Sequence, residues 1–255
     1  MTEKQILVND LKVNYKTFGE GKPFLILHGW GSKSDRWEKV AELLVKNNIQ
    51  IIIPDLPGFG QSQEPKTAWN LDNYEKWLWE FTRKVPQLNR QFYLAGHSFG
   101  GALAAKFAIK YNQEIIKLFL ISSACVRKNT TVKKLFYRLA KITKLVSFLP
   151  NYELFRKAAY KFVLRKSDYP HVSGIMKEIY LKVILDDLSY KINFLKVPTV
   201  LIWGDKDEST PLNQAHFIHN QIPNSVLCVI PGADHLPHIK IPEILAQKII
   251  ENLKV

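Results

Sequence analysis

A chain of 255 residues with two cysteines, two methionines and no long apolar run is limited by what it has little of. Cys125 and Cys228 lie far apart and outside any paired-cysteine spacing. That excludes a disulfide framework and a cysteine zinc site, and both are read as reduced thiols. No stretch reaches the ~18 apolar residues of a membrane span. The start, Met1-Thr2-Glu3-Lys4-Gln5, lacks the run of about 7–15 apolar residues that a secretory signal needs. The expectation is a soluble, cytoplasmic protein. Neither G-x-x-x-x-G-K-S/T nor G-x-G-x-x-G occurs, so a nucleotide-cradling loop has no support. No His, Cys, Asp or Glu cluster has metal-ligand spacing. No cofactor and no metal are expected.

Acidic residues are also scarce, 23 against 36 basic ones, for a net charge of +13. The imbalance is local. Ala124 to Pro150 holds seven basic residues and no acidic one. From 124 to 191 the tally is fifteen basic against five acidic, so most of the surplus sits in one segment. Such a block suits an acidic partner or an anionic membrane surface, or is simply a solvated basic face. Nucleic acid is not expected, because no binding motif accompanies the charge.

Apolar residues make up 46% of the chain, enough for a substantial core. Ile6 to Val8 and Lys12 to Thr17 read as an opening strand pair. Phe24 to Leu27, Gln50 to Pro54, Gln91 to Ala95, Ile116 to Ser122, Thr199 to Trp203 and Val226 to Ile230 are brief apolar runs. Strands covered on both faces look like this. Helical stretches alternate with them: about 35–46, 72–84, 100–111, 212–220 and 242–253. The alternation implies an α/β protein with a doubly wound, mostly parallel, eight-stranded sheet.

The rhythm breaks between 123 and 196, where no strand-like run occurs. Val132, Leu135, Phe136, Leu139, Ile142, Val146 and Leu149 fall near one helical face, and 160–164 and 175–185 look helical too. This is read as an inserted helical cap, 123–196, on a core formed by 1–122 and 197–255. It should lie over the C-terminal edge of the sheet, where open α/β sheets bind ligands.

Chemistry concentrates in the loops at the strand ends. Gly96-His97-Ser98-Phe99-Gly100 has the form G-x-S-x-G between a strand and an Ala-rich helical run. A sharp turn there lifts a serine Oγ clear of the sheet, and small neighbours let the two backbones approach. Alone, the motif also fits a Gly-rich turn with a bystander serine. A serine hydroxyl needs a base, and the base needs a carboxylate. Two later strand ends supply candidates: Gly204-Asp205-Lys206-Asp207-Glu208 and Pro231-Gly232-Ala233-Asp234-His235. An early strand ends in Leu27-His28-Gly29-Trp30-Gly31, and another in Asp55-Leu56-Pro57-Gly58-Phe59-Gly60-Gln61-Ser62.

On these motifs the chain resembles the α/β-hydrolase superfamily over essentially its full length, in its capped, cofactor-free, esterase-like branch. The resemblance implies Ser98 as nucleophile, Asp207 as acid and His235 as base, with Asp205 a rival acid and Asp234 a loop residue. It implies an oxyanion hole from the N–H groups of Trp30 and Phe99. His28 and Leu236 are expected at the substrate pocket, His97 at a variable elbow position and His238 at the pocket rim or surface. His216 and His219 are assigned to a helix, His171 to the insertion. Asp55 is expected to hydrogen-bond nearby N–H groups. The implied activity is cleavage of a carboxylic ester through an acyl-enzyme. Alternatives are a carbon–carbon bond hydrolase of the meta-cleavage type and a carrier-protein methyl ester esterase of the biotin pathway type. A non-enzymatic binding protein on this fold would be expected to lack a triad member.

Overall fold

The structure, a computed structural model, describes residues 1–127 and 173–253. Its sheet is built from β1 (Thr2–Val8), β2 (Leu11–Phe18), β3 (Lys22–Leu27), β4 (Ile49–Pro54), β5 (Phe92–His97), β6 (Ile115–Ile121), β7 (Thr199–Gly204) and β8 (Ser225–Ile230). The helices described are α1 (Glu38–Leu44), α2 (Leu71–Lys84), α3 (Phe99–Lys110), α4 (Gly174–Val183), α5 (Leu212–Gln221), α6 (Pro237–Lys240) and α7 (Pro242–Glu251).

The eight strands are ordered β1-β2-β4-β3-β5-β6-β7-β8. β1 and β2 are antiparallel, β2 meets β4 antiparallel, and β3 to β8 run parallel. The apolar runs follow from burial on both faces. Alternate residues of one strand enter two different cores, as a period of two requires. Phe92 and Leu94 of β5 and Leu201 and Trp203 of β7 pack with α2, α3 and α5. Tyr93 and Ala95, with Val200 and Ile202, pack with α1 and α7 on the other face. β8 is an edge strand, and Val226 and Val229 remain exposed on it.

The stretch expected as one helix over 35–46 is instead a 3-10 turn (Ser34–Trp37), α1, and a second 3-10 turn (Val45–Asn47). α2 begins where expected because Asn70 and Asn73 cap each other's backbone N–H groups. α6 was not foreseen. Of the expected cap, 174–183 is helical, as α4. The stripe from Val132 to Leu149 and the run 160–164 lie outside the described residues, as do His171 and most of the basic block. Among the described residues no helix is long and apolar enough to cross a membrane.

Because β3 to β8 are parallel, their C-terminal ends share one edge. The chain passes from β3 to β4 on one side and then to β5 on the other, so the winding reverses between β3 and β5. At such a reversal the loops leaving two adjacent strands diverge and open a crevice. The loop 28–31 leaves β3 and Ser98 leaves β5 at this point.

Candidate active site

Ser98 stands at the turn from β5 into α3 with φ +50° and ψ −114°. A non-glycine residue reaches this region only under strain, which the surrounding packing must hold in place. The neighbouring glycines make the turn possible. A Cβ on Gly96 would sit 2.2 Å from the Gly100 carbonyl oxygen, and one on Gly100 would sit 2.3 Å from the Leu27 carbonyl oxygen. Strand and helix therefore touch backbone to backbone, and the serine is pushed outward.

Two later loops reach it. His235, after β8, places Nε2 3.1 Å from Ser98 Oγ and Nδ1 2.9 Å from Asp207 Oδ2. Asp207, after β7, is 4% exposed. Its Oδ1 accepts from the N–H groups of Ser209 and Thr210, each at 2.9 Å, and its Oδ2 accepts from the Thr210 hydroxyl at 2.8 Å. Burial works to raise its pKa. The hydrogen bond and electrostatic attraction of His235 and the Thr210 N–H outweigh it, holding the carboxyl below its ordinary value. With Asp207 ionised, Nδ1 of His235 carries the proton and Nε2 is free to accept from Ser98.

The rival carboxylates are occupied elsewhere. Asp205 is exposed and accepts from the Gly232 N–H at 2.7 Å. Asp234 pairs with Lys240 and accepts from the Leu236 N–H at 3.0 Å.

Phe99 is the first residue of α3, so its N–H has no acceptor within the helix. Trp30 lies across the crevice in the loop after β3, its ring 5.5 Å from that of Phe99 and 5.1 Å from that of Tyr180 on α4. Asp55 ties the loop after β4 to the turn before α1: its carboxylate accepts from the N–H of Ser34 at 2.7 Å and of Gln61 at 2.9 Å.

A cavity of about 1030 Å³ opens over Ser98 and His235. Trp30, Phe99, Tyr180, Val183 and Ile184 give it an apolar wall, and Leu236 lies on its border. Arg36, Arg127 and Lys206 also line it, beside Glu208 and Asp234. No cluster with metal-ligating geometry occurs among the described residues.

One histidine differs from expectation, and two more make contacts that the motifs did not announce. His28 does not reach the pocket. It is fully buried, its Nε2 accepting from the Leu56 N–H at 2.9 Å and its Nδ1–H donating to the Gly29 carbonyl at 2.8 Å. It fastens the loop after β3 to the loop after β4, and burial lowers its pKa. His238 lines the cavity, the first of its two expected places, but is only 2% exposed, stacked on Trp37 with ring centroids 4.5 Å apart. α6 turns it inward, and that four-residue helix left no periodic signal in the sequence. His97 is buried too, its Nε2 2.7 Å from the His235 carbonyl oxygen. Its place in the motif gave no sign of that contact, because the partner lies 138 residues away.

Comparison with known proteins agrees with the fold. The chain is 26% identical over 256 residues to a pimeloyl-[acyl-carrier protein] methyl ester esterase of Legionella pneumophila, covering 96% of this chain and 100% of the relative. It is 25% identical over 236 residues to Lipase 1 of Psychrobacter immobilis, covering 86% of this chain and 73% of the relative. A solved esterase from Thermogutta terrifontis superposes with a TM-score of 0.74 at 24% identity, covering 100% of this chain and 98% of that one. The profile of the alpha/beta hydrolase fold matches residues 22–166. That match spans the strained serine turn and the loops after β3 and β4, and with the eight-stranded sheet it shows that the chain belongs to the alpha/beta hydrolase fold family.

Proposed function

We propose that this protein is a serine hydrolase that cleaves carboxylic esters through an acyl-enzyme. The observation that carries the reading is the unbroken hydrogen-bonded line Ser98–His235–Asp207 at the floor of a cavity. Ser98 Oγ attacks the ester carbonyl while His235 Nε2 takes its proton. Asp207 stabilises the imidazolium that results. The N–H groups of Trp30 and Phe99 receive the oxyanion, a contribution of roughly 3–4 kcal/mol per donor in comparable sites. The tetrahedral intermediate collapses as His235 returns the proton to the leaving alcohol. Water, deprotonated by His235, then attacks the acyl-enzyme, and the acid and free Ser98 are released.

The relatives support the substrate class: one is a lipase and one a methyl ester esterase. We infer further that a hydrolase core of 1–122 and 197–255 carries a helical cap, 123–196. Basic residues from 124 to 191 on that cap would favour an anionic partner, by raising the encounter rate more than the affinity. A cytoplasmic location fits the two unpaired thiols.

The test is covalent. A fluorophosphonate probe should label Ser98 in the wild type and not in Ser98→Ala. A p-nitrophenyl ester series from acetate to long acyl chains then gives chain-length preference. No labelling at Ser98 sinks the enzyme reading. Turnover of a ring-fission dienone without turnover of esters replaces it with carbon–carbon bond hydrolysis. Rates indifferent to ionic strength argue against electrostatic capture of an acidic carrier.

A further inference from the structure

We propose that His97 is a positioning residue, holding the loop of His235 and the loop after β3 in register with Ser98. The inference rests on the Ser98–His235 reading above and adds a residue that the triad does not include.

β5 and β8 are separated by two strands, so nothing in the sheet ladder joins the Ser98 turn directly to the His235 loop. His97 provides a shorter route. It is covalently bonded to Ser98, and its Nε2–H donates to the His235 carbonyl oxygen at 2.7 Å. A carbonyl can only accept, so Nε2 carries the proton and Nδ1 is bare. Nδ1 is buried without a hydrogen-bond partner among the described residues. It faces Gly29, where an added Cβ would lie 2.8 Å from it. One side chain therefore touches the base loop and the loop that carries Trp30, while its own backbone carries the nucleophile.

The ring has a rigid backing. His238 lies 4.4 Å from His97, centroid to centroid, and itself stacks on Trp37. Leaving an imidazole nitrogen buried and unpaired costs stability unless the other nitrogen's bond and the packing offset it. The site keeps that cost and gains a fixed His235 main chain. The need is real, because the His235 side chain is 20% exposed and its loop follows an edge strand. Burial, with help from the neighbouring His238 and His235, holds His97 well below its ordinary pKa, so the ring stays neutral beside the base.

The experiment compares His97→Leu with His97→Gln, whose amide nitrogen can reach the position of Nε2. Melting temperature, rate of fluorophosphonate labelling at Ser98, and kcat and KM on the best p-nitrophenyl ester are measured for each. His97→Leu should lose about 10–100-fold in kcat and in labelling rate, the scale of a misplacement near 1 Å, with KM changed by less than about threefold. His97→Gln should recover most of that loss. If His97→Leu does not fold, His97→Asn takes its place, because its shorter amide stops near the position of Nδ1. It should then be slower than His97→Gln by about tenfold or more. A folded His97→Leu labelled as fast as wild type, or Gln, Leu and Asn variants equally slow, overturns the inference. A wild type labelled at Ser98 keeps the hydrolase reading intact in that case, whereas an unlabelled wild type removes both.

Discussion

The Thr210 hydroxyl donates to Asp207 Oδ2 at 2.8 Å, on the same oxygen that receives His235 Nδ1 at 2.9 Å. Thr210 is itself fixed, its carbonyl accepting from Trp203 Nε1 at 2.7 Å. The carboxylate is thus oriented from the strand that precedes it. Thr210→Val keeps the shape and removes the donor. Steady-state kinetics should show kcat lower by about tenfold, the equivalent of the ~1.5 kcal/mol of one hydrogen bond to a charged group. An unchanged kcat would mean that the backbone donors of Ser209 and Thr210 orient Asp207 unaided.

Asp207→Asn should be far more damaging, because an amide in place of the carboxylate favours the wrong imidazole tautomer. A loss of about 10⁴ in kcat is expected from Ser-His-Asp systems in general. Asp205→Asn, two residues away, changes an exposed side chain bonded to a loop N–H and should stay near wild-type activity. Equal losses in the two variants would contradict the assignment of the acid.

Gly100→Ala tests the contact beneath Ser98. Its Cβ would meet the backbone of Leu27, which cannot rotate away, at 2.3 Å. Thermal denaturation should show destabilisation of about 3 kcal/mol or more, or no soluble protein. Gly174→Ala is the control: φ is +58° and none of the described residues lies within 4 Å of the added carbon. There the cost should be only about 1–2 kcal/mol, the penalty of a left-handed backbone.

Acid stability should depend on His238. Burial, then the neighbouring His235 and His28, lowers its pKa from 6.5 to about 3. Between those values the unfolded chain binds a proton that the folded chain refuses. Stability is therefore complete above pH 6.5 and falls as pH drops toward 3. His238→Phe preserves the stack on Trp37 and has no proton to bind. Its melting temperature should fall less than that of wild type between pH 7.5 and 5. Parallel curves would show that other groups, such as the buried His97 and His28, govern acid unfolding.

The strands and the serine turn were legible because both are local. β3, β5, β6 and β7 are rich in apolar residues since helices cover both faces, and Gly96 answers a contact with Gly100 four residues on, although Gly100 itself answers Leu27 on β3. Asp55 was legible for the same reason, its bond to Gln61 spanning six residues. His28 was misread because its Leu56 partner belongs to another strand's loop. For His238 the choice between pocket rim and surface stayed open, because only α6 and Trp37 together turn it inward to line the cavity.

The fold class was readable from strand and helix periodicity, a property of short segments, whereas Ser98, Asp207 and His235 stood out as candidates through motifs that resemble those of a known superfamily. Only the tertiary structure decided that Asp207 rather than Asp205 meets His235, that His28 stays out of the cavity, and that His97 reaches the base loop. Those outcomes depend on the order β5-β6-β7-β8 and on burial, which bring together atoms more than a hundred residues apart and leave no pattern in either neighbourhood.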